Sequence, residues 1–341
     1  MTTATSLIEH PHFVGARDDL LRAADRSPPG GLIFVIGPSG AGKSELRYLA
    51  MRALAGDPRN WKRGQLPAIA VRATLTERNR FNPKDLAMRM AMALRNPDFS
   101  WLTPRGEIAD PDVVHMVMDA REISSEWSAI RQYRTEHDLR LEFEMHGKAR
   151  GVRWLFLEEA ASLASVTKGQ SVFNYMLSYM QLAKECQLTL ILMGTPRAAA
   201  LWQCHPDVSR RALFVWVQRY RENRPDDHLR FARLVKTIQK RYPFASPTLA
   251  LDHLQLVIVN SAGSYGEVEQ LFRRADMARA RRGTDHIEAR DLEEAAYPKL
   301  QLERMWAEAK AFDDLCAKNP SPSELAYSTL TWGSSQDAGE K

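Results

Sequence analysis

The apolar run Leu32–Ile36 leads directly into Gly37, Pro38, Ser39, Gly40, Ala41, Gly42, Lys43 and Ser44, and a helical pattern continues from Glu45. Few folds accommodate that order. Glycine accepts backbone angles that other residues resist, so Gly37, Gly40 and Gly42 permit a tight turn whose N–H groups converge. A helix N-terminus behind the turn adds partial positive charge, and the anion that suits such a cradle is phosphate. The spacing is GxxxxGK[ST], set between a strand and a helix as this phosphate-binding motif requires. Lys43 is expected to reach the β- and γ-phosphates of ATP, and the Ser44 hydroxyl to ligate Mg²⁺.

Further apolar runs at Ala68–Arg72, 152–157, 188–193 and 212–217 alternate with amphipathic helical patterns. Continuous apolar strands separated by helices are buried on both faces, which predicts parallel pairing and crossover helices. The expected fold is therefore α/β, a P-loop three-layer α/β/α sandwich with a parallel sheet. After Tyr220 the texture becomes helical, at 227–241, 248–259, Tyr265–Arg282 and 288–296, with no convincing strand. The chain divides accordingly into an N-terminal segment (1–30), the core (31–222), a helical lid (223–300) and a C-terminal helix with a flexible tail (301–341). The tail from 319 lacks periodicity, and reads either as a disordered end or as a partner-docking peptide around Tyr327 and Trp332.

The run at 152–157 ends in Glu158 and Glu159, where a second P-loop strand should finish beside the phosphate loop. This resembles a Walker B motif. Glu158 would hold Mg²⁺ through its water shell, and Glu159 would orient and polarise the attacking water. The usual order is Asp then Glu. Glu158 carries one extra methylene, so hydrolysis is expected to be slow.

With these motifs in order the chain resembles AAA+ ATPases and, within them, the TniB/TnsC family of transposon-encoded ATPases, relatives of MuB and IstB. Beyond the Walker motifs the resemblance rests on Ile191 to Pro196 followed by Val208 to Arg211, similar to that family's "VGTP…ARR" pairing. It implies that Thr195 is a polar sensor of the γ-phosphate or attacking water, though Thr195 also reads as a helix N-cap ahead of Pro196. It implies that Arg211, or Arg210, acts on the nucleotide of a neighbouring subunit. The segment from Phe13 to Leu20 looks like the one that packs over adenine, with Val14 at the base. Ser261 to Gly266 resembles the turn before the lid helix. Here the sequence departs from the usual spacing, since Glu267 and Glu269 stand nearest the turn and the first arginines are Arg273 and Arg274. Those two with Arg279, Arg281 and Arg282 read more as a solvated helix face than as a DNA site.

Members of this family oligomerise with ATP on double-stranded DNA, as rings or helical filaments, and recruit a transposase and a target-selection protein. The resemblance therefore implies an ATPase that regulates DNA transposition. Contacts to DNA phosphates would come from Arg78 and Arg80 after the second strand, and from Arg131, Arg134, Lys148 and Arg150 before the Walker B strand. A net charge of +5 with a pI near 9.1 is compatible with nucleic acid and no more. The cysteines Cys186, Cys204 and Cys316 form no CxxC pair or Cys/His cluster, which suggests neither zinc nor a disulfide framework. No apolar run approaches the roughly 20 residues of a membrane span, so a soluble, cytoplasmic protein is expected. The alternatives are a replication-initiator or helicase-loader ATPase, and an ATP-dependent signalling switch that needs no nucleic acid.

Overall fold

The computed structural model describes residues 8–76, 79–103, 111, 113, 134–166 and 171–317. Five strands, β1 (Leu32–Ile36), β2 (Ala68–Arg72), β3 (Trp154–Glu158), β4 (Thr189–Gly194) and β5 (Ala212–Trp216), form one sheet in the order β2-β3-β4-β1-β5. Every neighbouring pair is parallel. β1 pairs on both sides, with β4 and with β5, and is buried along its whole length. Each Leu, Ile or Phe removed from water in this way contributes on the order of 2 kcal/mol.

Helices α1 (Pro11–Arg26), α2 (Lys43–Ala55), α3 (Pro83–Arg95), α4 (Glu136–Ala149) and α5 (Val172–Glu185) flank the sheet as a three-layer sandwich. Short helices α6 (Ala199–Gln203) and α7 (Pro206–Arg211) lead into β5. The edge strand β5 is covered on one side by aromatic packing, with Phe34 against Trp202 and Phe214 and with Trp216 against Phe312.

The lid comprises α8 (Pro225–Gln239), α9 (Leu249–Asp252), α10 (Leu254–Ser261), α11 (Tyr265–Arg282) and α12 (Ala289–Glu294) around its own apolar cluster. The helix expected over 248–259 breaks at His253, whose backbone (φ −107°, ψ 26°) leaves the helical region. The Gln239 amide holds the turn before that break, donating to the Ser246 carbonyl and accepting from Ala250 N–H. One isolated parallel bridge, Phe244 to Ile287, interrupts an otherwise helical lid.

The last helix, α13 (Lys299–Leu315), starts two residues before the boundary expected at 301 and joins the two cores. Phe312 is fully buried in the sheet's cluster, while Trp306 packs on the lid and donates from Nε1 to the Val259 carbonyl at 3.0 Å. Between them the buried Arg219 donates to Asp313. No helix among the described residues is long and apolar enough to cross a membrane. Tyr327 and Trp332 lie outside the described residues.

Candidate functional site

A parallel sheet collects the carboxyl ends of its strands at one edge, where open α/β proteins bind ligands. A cleft of about 650 Å³ opens there, within the size range of small-molecule sites. Ser39 to Ser44 form its floor, Glu158, Glu159 and Thr195 one wall, and Tyr265 and Arg273 of α11 the lid side.

The floor has the conformation the glycines permit. Gly40 (φ 73°) and Gly42 (φ 87°) are left-handed, and a Cβ at Gly37 would stand 2.8 Å from Val217. Gly42 is the N-cap of α2 and offers no side chain, so the first amides of that helix are left for a ligand. Gly37 and Pro38 stay behind the floor. Their carbonyls accept from Lys43 Nζ, each at 2.8 Å, which leaves one of the three ammonium protons for an anion. Burial lowers the Lys43 pKa to about 8, against the opposing pull of Glu308 and Glu159. Glu308 reaches in from α13, and Ser39 N–H donates to its carboxylate at 2.6 Å.

The two acidic residues differ in their surroundings. Glu158 faces a pair of guanidiniums, Arg47 Nε at 3.0 Å and Arg72 Nη2 at 3.8 Å. Arg47 rises from α2, buried beneath the strand ends, and Arg72 is the register partner of Glu158 on β2. Glu158 thus arrives at the cleft already charge-compensated. Glu159 has φ 54°, a left-handed angle that costs a non-glycine residue about 1–3 kcal/mol, and its side chain caps nothing in the turn behind it. Thr195 occupies the N-cap position before Pro196 but makes no capping hydrogen bond, so its hydroxyl remains available to the cleft it lines.

The lid is seated directly on the floor. Gly266 N–H donates to the Gly40 carbonyl at 2.8 Å, and a Cβ on Gly266 would collide with that same oxygen. Gly263 (φ 72°) accepts from Tyr220 N–H so closely that a Cβ there would lie 1.9 Å from the Tyr220 carbonyl. Arg273, expected on a solvated face, instead lines the cleft. Its companions on that face are tied within the lid: Arg274 to the Ala295 carbonyl and the Tyr297 ring, Arg279 to Asp276, Arg281 to Glu294 and Arg282 to Asp291.

Arg210 and Arg211 end α7 immediately before β5, whose first residue, Ala212, pairs with Leu32 at the amino end of β1. The phosphate loop begins past the carboxyl end of β1. At roughly 3.3 Å per residue, the length of the strand separates these arginines from their own loop. Arg210 pairs with Asp207 at 2.8 Å, while Arg211 lines a recess beside Asp19 and Leu213.

Val14 is not among the residues that line the cleft, whose wall on that side is formed by Ile8, His10 and Phe13. Of the basic residues proposed for nucleic acid, the structure describes Arg80, Arg134, Lys148 and Arg150, and these four are not gathered in one place. Arg78 and Arg131 lie outside the described residues. Arg134 is paired with the buried Glu142, and Arg150 donates to the carbonyls of Gly64 and Leu94, joining the ends of α3 and α4. Arg80, after β2, and Lys148, near the end of α4, are exposed at opposite ends of the sheet.

Sequence reasoning missed His10, Arg47, Arg72, Tyr265 and Glu308. Only Arg47 carried a usable signal, a charge one helical turn beyond Lys43 on the face of α2 that also buries Leu46 and Ala50.

The profile of the AAA domain family matches residues 27–201. No curated protein matches the sequence. Among solved structures, the chain is similar to Cdc6p from Pyrobaculum aerophilum, with a TM-score of 0.54 and 11% identity over 86% of this chain and 69% of that one. It is similar to the ORC2 protein of Aeropyrum pernix, at a TM-score of 0.51 and 13% identity over 86% and 69% of the two chains. A Walker-type ATPase of Pyrococcus abyssi gives 0.50 and 15%, over 91% and 86%. At such identities the likeness is one of fold.

Proposed function

The chain belongs to the AAA domain family, and on that premise we propose that it is an ATPase whose copies assemble on duplex DNA to regulate transposition, in the manner of TniB/TnsC proteins. The observation that carries the ATPase part is the polar layout of the sheet: the phosphate loop at one end, Arg210 and Arg211 at the other. A guanidinium so placed serves the nucleotide of the next copy, and stacking copies completes each site.

Within one copy, the amides of Gly40 to Ser44 and the third proton of Lys43 receive the triphosphate. The Ser44 hydroxyl and the carboxylates of Glu158 and Glu159 line the same cleft, a hard-oxygen set that suits Mg²⁺. When bound, that ion neutralises charge on the phosphate oxygens. Glu158, engaged by Arg47, would act on it through water. Glu159 orients the attacking water, Thr195 donates to the γ-phosphate or that water, and Arg273 adds positive charge from the lid.

The transposition part rests on the resemblance of the Thr195-Pro196 and Arg210-Arg211 segments to that family. Of the described candidates, the exposed Arg80 and Lys148 are free of the pairings that hold Arg134 and Arg150, and would meet DNA phosphates. A transposase and a target-selection protein are the partners of this reading. The likeness to ORC2 and Cdc6p is compatible with an initiator ATPase and gives it no advantage. Electron microscopy of the protein with duplex DNA and a non-hydrolysable ATP analogue tests the proposal. Rings or filaments should form only with both present, and Lys43→Ala should abolish them. Assembly indifferent to nucleotide or to DNA would sink it.

A further inference from the structure

His10 lies before α1 and is only 6% exposed, yet it lines the nucleotide cleft. Its Nδ1 is the N-cap acceptor for Phe13 N–H, and Tyr220 Oη lies 3.1 Å from the same nitrogen. A backbone amide only donates, so Nδ1 carries no proton and the Tyr220 hydroxyl donates to it as well. A neutral imidazole must then bear its proton on Nε2. Burial and the neighbouring His12 lower the His10 pKa to about 4, which keeps the ring neutral in ordinary buffers. Among the described residues Nε2 has no protein partner.

The ring is also fixed in direction. It stacks on Tyr265 at 5.8 Å between centroids and 23° between planes. Tyr265 is itself held, donating from its hydroxyl to Glu269 at 2.7 Å while accepting from Arg241 at 3.0 Å. Tyr265 immediately precedes Gly266, which docks on the phosphate loop, and Phe13 packs over Gly42 of that loop. The wall of Ile8, His10, Phe13 and Tyr265 is therefore the aromatic end of a cleft whose other end receives phosphate. It contains a fixed N–H donor.

We infer that His10 is the base-reading residue of this cleft, donating from Nε2–H to an unprotonated ring nitrogen of a purine nucleoside triphosphate. Tyr220 is its positioning residue, holding the tautomer that makes Nε2 the donor. This inference rests on the nucleotide reading above and adds to it the atom that recognises the base.

Affinities of the full chain for ATP and for its 1-deaza, 3-deaza and 7-deaza analogues, each replacing a ring nitrogen by C–H, provide the test. One analogue should bind the wild type roughly tenfold more weakly than ATP, the worth of one hydrogen bond to a neutral acceptor. His10→Phe should lose about the same factor for ATP and should no longer distinguish that analogue from ATP. A variant that binds ATP like the wild type, or retains the analogue penalty, overturns the inference. If His10→Phe fails to fold, Tyr220→Phe leaves His10 and the fold of the wall in place and should shrink the same ratio; an unchanged ratio overturns it equally. Lys43→Ala should weaken ATP and all three analogues alike. Failure of the wild type to bind ATP, or unimpaired binding by Lys43→Ala, would remove the nucleotide reading and this inference with it.

Discussion

Lys43 sets the pH range in which the cleft can hold an anion. Its free-state pKa is lowered to about 8, chiefly by burial, and bound phosphate favours the charged form and raises it. Affinity for ATP should therefore be steady below pH 8 and fall as pH rises between the free and bound values, by at most about tenfold per unit. Calorimetric titrations from pH 7 to 10 would show this, and a flat profile would refute it. The paired carboxylates give a second contrast. Glu159→Gln should keep nucleotide binding and lose turnover by roughly 10²–10⁴-fold, leaving the protein in its ATP state with longer-lived complexes on DNA. Glu158→Gln strands the buried Arg47, which should cost about 3 kcal/mol in a denaturant titration. Adding Arg47→Met should recover most of that loss, because the unpaired buried charge is then gone. Normal turnover in Glu159→Gln, or full stability in Glu158→Gln, would show the roles to be misassigned. At this scale the loop, Glu158, Glu159 and Thr195 were legible because one chain segment carries each motif. His10 and Glu308 were not, because each acquires its meaning from a contact more than 200 residues away in the chain.

Among the elements, the strands were read nearly in place because burial on both faces leaves uninterrupted apolar runs. The broken helix at His253 was not legible, since the side chain of Gln239 that holds the preceding turn belongs to a different helix. Nor was the distribution of basic residues: Arg134 and Arg150 look like surface charges in the sequence, and only the packing of α3 against α4 shows them spent on Glu142 and on carbonyls. The glycine turn before α11 can be tested as a unit. Gly263→Ala combines a left-handed angle with a collision against Tyr220, and should destabilise the fold by about 2–4 kcal/mol. Gly266→Val should leave the core folded but lift the lid from Gly40, weakening ATP binding without abolishing the loop. Equal ATP affinity in that variant would show that the lid contact has no part in binding. If the arginines before β5 act between copies, as proposed above, Arg211→Ala should spare ATP binding by the isolated subunit and impair turnover in the assembly. The Arg210→Ala variant distinguishes which of the two is used, and normal turnover in the double variant would exclude both.

For the whole molecule, the proposed assembly on DNA would weaken steeply with salt and show little preference among unrelated duplexes, because the contacts proposed are to phosphates. Strong sequence discrimination at constant salt would contradict that. A different consequence follows from α13, which is anchored in the sheet by Phe312 and on the lid by Trp306 while Glu308 accepts from Ser39 N–H. The carboxylate and a triphosphate are both anions presented to one loop, so if bound phosphate also draws on Ser39 N–H, the last helix would act as a tethered competitor. Its effective concentration is set by the fold, commonly in the millimolar range for short tethers, and no dilution of the protein relieves it. By reciprocity, ATP should then loosen Glu308 as much as Glu308 weakens ATP.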